Sequence, residues 1–169
     1  MNRLTILTLA VAASLGLACS GAQEKDYGKR PDWSMTLPDG RKASAADYDG
    51  KVVIVDFWAT WCPPCVKEIP GFIQLKKQYG EKGLEIVGFS LDRDVKTHDD
   101  WVKAKGVNYL SIFAQNEPGK KVMAEFEKLI GPIEGIPTTL VLNRKGQILY
   151  KHVGYGSPEE FEKVIKPLL

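Results

Sequence analysis

Two cysteines, Cys62 and Cys65, are separated only by Pro63 and Pro64, with Trp58 and Trp61 just before them. Cysteines at this spacing do one of two kinds of chemistry. They can close a disulfide and exchange it with another, or they can share a metal ion. Redox chemistry needs only the pair and a helix that begins at it, whose unpaired N–H groups favour a thiolate on the first sulfur. A structural zinc site needs four ligands. The chain has no second C-x-x-C, and His98 and His152 are its only histidines. A copper site built from two thiolates and one distant histidine remains as the rival, in a copper- or haem-handling binding module. The two-residue spacing and the lack of a histidine beside the pair favour redox. No metal is therefore expected, and no cofactor beyond the Cys62–Cys65 disulfide itself.

The pair must be held by the elements around it. Residues 51–59, KVVIVDFWA, are almost unbroken apolar and follow Gly50. Such a run predicts a central strand buried on both faces. Val66, Ile69, Phe72, Ile73 and Leu75 recur at near-helical spacing over 63–79, up to Gly80. The cysteines thus stand where a buried strand turns into a helix. LEIVGFSL (84–91) predicts a second buried strand. VKTHDDWVKAKG predicts a helix closing on Gly106, with His98, Asp99 and Asp100 on a solvated face. NYLSIFA reads as a short strand and GKKVMAEFEKLIG as another helix. TTLVLN and QILYKHVG read as strands joined at Arg144-Lys145-Gly146. Ser157, Pro158 and Glu160 open the last helix with a capping box. Asp39-Gly40, between short extended segments, marks a hairpin. This order gives an α/β domain with a mixed sheet.

At 169 residues, with 44% hydrophobic, the chain suits one globular domain rather than a disordered segment. Lys and Arg number 23 against 21 Asp and Glu, with no basic stripe, so no nucleic-acid partner is expected. Residues 1–22 read as an export signal: Arg3, an apolar run over 4–18 short for a membrane span, then small residues. Two endings are open. Ala18-Cys19 resembles a lipobox, although Gly16 stands where leucine is usual, and makes Cys19 the lipid-bearing first residue of a membrane-anchored form. Ser20-Gly21-Ala22 offers cleavage before Gln23 instead. Either ending puts the mature chain outside the cytoplasm, in the periplasm or cell envelope, away from the glutathione pool. The polar residues 23–32 suit a tether, leaving 33–169 as the domain.

VVIVDFWATWCPPC resembles the active-site strand and turn of thioredoxin-like proteins. With the preceding hairpin, Glu68 and the segment 84–130, the chain is more specifically similar to the TlpA/ResA-type thiol–disulfide oxidoreductases, over about 33–169. The resemblance implies a thioredoxin-like fold: a mixed central sheet flanked by helices, with an N-terminal β-hairpin and a central insertion over 92–130. It implies that Cys62 attacks and Cys65 resolves. It matches Pro137 of GIPTT to the family's cis-proline, which would leave the Ile136 backbone free to pair with an extended substrate. Trp61, Pro63, Pro64, Ile136 and Pro137 would then bind substrate, with Trp58 in the core. The implied partners are protein disulfides, such as apocytochrome c or its maturation factors, and a membrane electron donor relaying thioredoxin electrons. Peroxide reduction is disfavoured, because Thr60-Trp61-Cys62 lacks the Thr-x-x-Cys spacing of peroxiredoxins.

Within that scheme Cys65 must lose a proton in a sheltered place. Asp56, six residues before Cys62 on the buried strand, should lie under the pair. Glu68, three after Cys65, shares its helix face. Burial would raise the pKa of either carboxyl towards neutrality, as a general base requires. Thioredoxin has the Asp56 acid and the TlpA/ResA relatives have the Glu68 acid; this chain has both. The two prolines strip N–H donors from the first turn. A less stabilised Cys62 thiolate lowers the potential, so substrate reduction is expected rather than oxidation or isomerisation.

Overall fold

The computed structural model describes residues 25–169. Cys19 and the expected export signal lie outside the described residues. A short hairpin comes first, β1 (Ser34–Thr36) and β2 (Lys42–Ser44), turning at Asp39-Gly40. Then follow β3 (Val52–Trp58), α1 (Pro63–Tyr79), β4 (Leu84–Ser90), α2 (Val95–Ala104), β5 (Leu110–Phe113), α3 (Glu117–Ile130), β6 (Thr138–Leu142), β7 (Ile148–Val153) and α4 (Pro158–Ile165). Five strands form one sheet in the order β5-β4-β3-β6-β7. β3 pairs parallel with β4 and antiparallel with β6, so the sheet is mixed, as expected.

β3 is central because every one of its residues is buried. Its alternate side chains feed two cores. Val53, Val55 and Phe57 face Trp33 of the hairpin and Phe126 of α3. Val52 and Ile54 face Phe72 and Leu75 of α1 and Phe161 of α4. Asp56 belongs by parity to this second face. Ladder register makes one row across the whole sheet: Ser111, Gly88, Asp56, Thr139 and His152. A third cluster gathers Trp58, Ala59, Cys62, Cys65 and Ile69 at the strand–helix corner.

Two local readings change. α3 starts at Glu117, before the expected Gly119, because the Asn116 side chain accepts the Gly119 N–H at 2.8 Å and caps the helix. Part of the expected tether is pinned to the domain. Tyr27 N–H donates to the Ile148 carbonyl at 3.0 Å, Arg30 N–H donates to the Gly146 carbonyl at 2.8 Å, and Lys29 bridges to Gln147.

Candidate active site

Cys62 ends the turn after β3 and serves as N-cap of α1, with Pro63 and Pro64 in its first turn. Cys62 and Cys65 are joined as a disulfide. Cys62 is 4% exposed and Cys65 is 0% exposed, so of the two sulfurs only Cys62 can be reached from outside. The Cys65 N–H points at the Cys62 sulfur at 3.3 Å. Pro63 and Pro64 have no N–H to add to it. Proline tolerates this position because first-turn N–H groups lack helical partners in any case. The Ile136 carbonyl lies 3.5 Å from the same sulfur, and the Ile136–Pro137 bond is cis, as expected. Trp61 stands out at 58% exposure, while Trp58 is buried beneath the pair. The sequence-derived residues Trp61, Cys62, Pro63, Pro64, Cys65, Ile136 and Pro137 thus meet at one corner.

The turn itself is fastened by a residue the sequence reading passed over. Asp92, buried just beyond β4, accepts from the Thr60 N–H at 3.1 Å, the Thr60 hydroxyl at 2.7 Å and the Ser90 hydroxyl at 2.7 Å. These bonds fix the backbone two residues before Cys62. The usable signal was position: Asp92 follows the carboxyl end of a parallel strand adjoining the cysteine strand, where α/β sheets place their sites.

His98 corrects the reading of a solvated helix face. It is 2% exposed, whereas Asp99 and Asp100 are exposed. Its Nδ1 is 2.8 Å from Asp99 Oδ1 and its Nε2 is 2.8 Å from Ser111 Oγ, an oxygen that accepts from Trp58 Nε1 at 3.2 Å. The imidazole turns inward because Ser111 and the Trp58 indole give it partners there. His152 sits instead beside Tyr150, so each histidine is engaged away from the sulfurs.

The two carboxyls are brought onto the same side of the sheet. Asp56 and Glu68 are each 1% exposed. Glu68 Oε1 accepts the Gly156 N–H at 2.8 Å, and its Oε2 faces the Thr139 hydroxyl at 3.4 Å. Thr139 is the ladder partner of Asp56. Gly156 is needed at this approach, since a Cβ there would come within 2.6 Å of the Phe161 ring. Burial pushes the Glu68 carboxyl up to about 7, against the pull of the Gly156 N–H. Burial, then the charge of Glu68, pushes Asp56 well above the usual carboxylate range. Like charges in a dry site cannot easily coexist, so the pair titrates as a unit.

The disulfide thus sits on a strand–helix corner, on a sheet that also carries two buried acids. The model of the AhpC/TSA family matches residues 28–151. The chain belongs to the AhpC/TSA family. Within it, the chain is 29% identical over 167 residues to the thiol-disulfide oxidoreductase ResA of Bacillus thuringiensis, covering 98% of this chain and 92% of that one. It is 34% identical over 133 residues to the thioredoxin-like protein YneN of Bacillus subtilis, covering 79% and 74%. A crystal structure of a thioredoxin-family thiol:disulfide interchange protein from Chlorobium tepidum superposes with a TM-score of 0.76 at 31% identity, covering 87% of this chain and 99% of that one. This AhpC/TSA-family chain has the thioredoxin-like fold and is a thiol–disulfide oxidoreductase.

Proposed function

We propose that this oxidoreductase acts outside the cytoplasm and reduces protein disulfides through the Cys62–Cys65 couple. The Cys62 thiolate attacks a substrate disulfide, forming a mixed disulfide and releasing one substrate thiolate. Cys65 then attacks Cys62, releasing the second and leaving the enzyme oxidised. Asp56 and Glu68 take up the Cys65 proton. Trp61, Pro63, Pro64 and the Ile136–Pro137 backbone form the docking rim, and the Ile136 N–H has no partner among the described residues. The substrates are protein disulfides, apocytochrome c or its maturation factors among them. A membrane protein relaying thioredoxin electrons restores the thiols.

The observation that carries the direction is that, among the described residues, a single N–H, from Cys65, faces the Cys62 sulfur. Strong oxidants owe their potential to a heavily stabilised thiolate. Here the donors are few, and two buried acids make the surroundings still less hospitable to negative charge. The couple should equilibrate near the thioredoxin value of about −270 mV rather than the strong-oxidant value of about −120 mV. Equilibration in glutathione or dithiothreitol buffers measures it. A value above about −180 mV, the isomerase range, would overturn the reductase reading in favour of an oxidase or isomerase.

The export reading rests on residues 1–22; of the tether expected over 23–32, residues 27–30 are held against the domain of 33–169. No helix among the described residues is long and apolar enough to cross a membrane. With Cys19 as the lipid-bearing residue, attachment depends on that one side chain. Cys19→Ser should leave the membrane fraction and lose incorporated fatty acid. Unchanged attachment in that variant would mean an uncleaved signal anchor instead.

A further inference from the structure

Residues 92–130 supply neither cysteine of the couple and neither Asp56 nor Glu68, yet two of their side chains reach the redox corner. Trp58 ends β3, is buried, and shares one apolar cluster with Cys62, Cys65 and Ile69. A buried indole needs an acceptor for its N–H. Trp58 finds it on β5, two strands away, where Ser111 Oγ lies 3.2 Å from Nε1. The sheet leaves room for that reach at Gly88 of β4, the ladder partner of Ser111. A Cβ on Gly88 would stand 2.9 Å from Trp58 Nε1 and 3.4 Å from Ser111 Oγ, so a larger residue would force the indole and the hydroxyl apart.

The contacts run on to the surface. His98 of α2 is buried, with Nε2 2.8 Å from Ser111 Oγ and Nδ1 2.8 Å from the exposed Asp99 carboxylate. The kinds of atom give this chain a direction. An indole N–H only donates and a carboxylate only accepts. Nδ1 therefore carries the hydrogen that Asp99 accepts. Ser111 Oγ receives the indole hydrogen and has one hydrogen of its own to give. Nε2 accepts it, and the hydroxyl has no other acceptor among the described residues. Each hydrogen is used once: Trp58 to Ser111, Ser111 to His98, His98 to Asp99. The His98 ring also lies beside the indole, with centroids 5.9 Å apart, and Trp101 of the same helix lies beside it at 5.1 Å.

We propose that His98 and Ser111 are positioning residues for the redox couple, their directed chain holding the Trp58 indole as a fixed, dry floor beneath Cys62 and Cys65. They touch neither sulfur and act through Trp58. On reduction two electrons and two protons enter, the S–S bond breaks and two thiols take its place. The sulfurs then part, and a floor free to turn would let water in to Cys65. Water favours the charged form of a thiol that burial keeps neutral. A stabilised reduced form raises the potential, which is how strong oxidants arise. A firm floor therefore keeps the couple reducing and keeps Cys65 aimed at the mixed disulfide. The kinetic part of this inference rests on the reading of Cys65 as the resolving cysteine. The potential belongs to the couple whichever sulfur resolves.

The test uses the full chain carrying Cys19→Ser, so that only the couple reacts. Equilibration in glutathione buffers gives the potential. Reduced protein mixed with 5,5′-dithiobis(2-nitrobenzoate) releases one coloured thiolate when Cys62 attacks and a second when Cys65 resolves. Ser111→Ala removes the middle of the chain. It should shift the equilibrium with glutathione about tenfold towards reduced protein, about 30 mV upward. The first release should be unchanged and the second about tenfold slower, a share of the hundredfold that a 1 Å misplacement can cost. His98→Phe keeps a ring and loses both nitrogens; it should move both readings the same way, by about threefold. His98→Gln, whose amide oxygen can accept the Ser111 hydrogen, should stay closer to wild type than His98→Phe. In the Ser111→Ala background His98→Phe should add little, because the chain is already cut. Nitrogen NMR of labelled histidine should show His98 Nε2 without a hydrogen, and the Trp58 indole hydrogen should exchange faster in Ser111→Ala. A merely structural role would weaken oxidised and reduced protein alike and leave the potential in place. An unchanged potential in Ser111→Ala overturns the proposal. So does a hydrogen on Nε2, or a His98→Gln no better than His98→Phe, and these hold even if Ser111→Ala fails to fold. If Cys65→Ser still gives the second release, the reading of Cys65 falls, while the potentials continue to decide the floor.

Discussion

Cys65→Ser should halt turnover and leave the protein covalently joined to its substrates through Cys62. The first attack survives, because the Cys62 sulfur and the Cys65 N–H that faces it are untouched. The second attack is lost, since a serine hydroxyl does not displace a thiolate from a disulfide. Cys62→Ser should be equally inactive and trap little or nothing, because Cys65 has no exposed surface through which to meet a protein disulfide. Each variant should lose roughly a thousandfold or more in reductase rate, as is usual when a covalent nucleophile is removed. Non-reducing gels of cell extracts, followed by identification of the captured chains, distinguish the two. Equal trapping by both variants would reverse or abolish the division of roles.

Asp56→Asn should slow the resolving step and at the same time stabilise the fold at neutral pH. A carboxyl whose folded pKa is raised binds more protons folded than unfolded across the interval between its two values. Stability therefore falls as pH rises from the unfolded value of 3.8 through the raised folded value, and stays low beyond it. Glu68 adds the same sign over the window from 4.5 to about 7. Below about pH 3 both carboxyls are largely protonated in either state, so wild type and Asp56→Asn should differ little there. At neutral pH the variant should gain about 2 kcal/mol, the scale at which an unsatisfied buried polar group is penalised. Glu68→Gln should slow resolution less, because Glu68 keeps two donors and Asp56 has none. The double variant should cost less than the sum, as coupled neighbours do. Denaturant unfolding across pH, with resolution rates beside it, makes the check. Equal stability and equal rates for wild type and Asp56→Asn would pass the proton to Glu68.

Local signals made most of the fold legible. The unbroken apolar run of β3, the capping box at Ser157 and the Asp39-Gly40 turn are written in consecutive residues, and each sits where the sequence puts it. The disulfide corner was equally legible, because its parts are adjacent in the chain. The partners of those parts were not. Asp92 holds Thr60 across 32 residues, and Gly156 holds Glu68 across 88. Such contacts follow from sheet order and register, which propensity does not encode. His98 shows the same limit: beside two acids it reads as surface, and only the position of Ser111 on the neighbouring strand draws it inside.

The pinning of residues 27–30 along β7 also sets the place on the domain from which the leading residues depart. β6 begins beside the end of β3 that carries the cysteines, and β7 returns from the far end. The contacts to Gly146 and Ile148 therefore lie at the pole of the sheet opposite Cys62. The seven residues of β3 set that pole about 20 Å from the sulfurs, at strand rise. A surface that holds the chain by its leading residues thus grips the domain by its base. The disulfide lies at the opposite pole from that base, with Trp61 as its exposed aromatic rim.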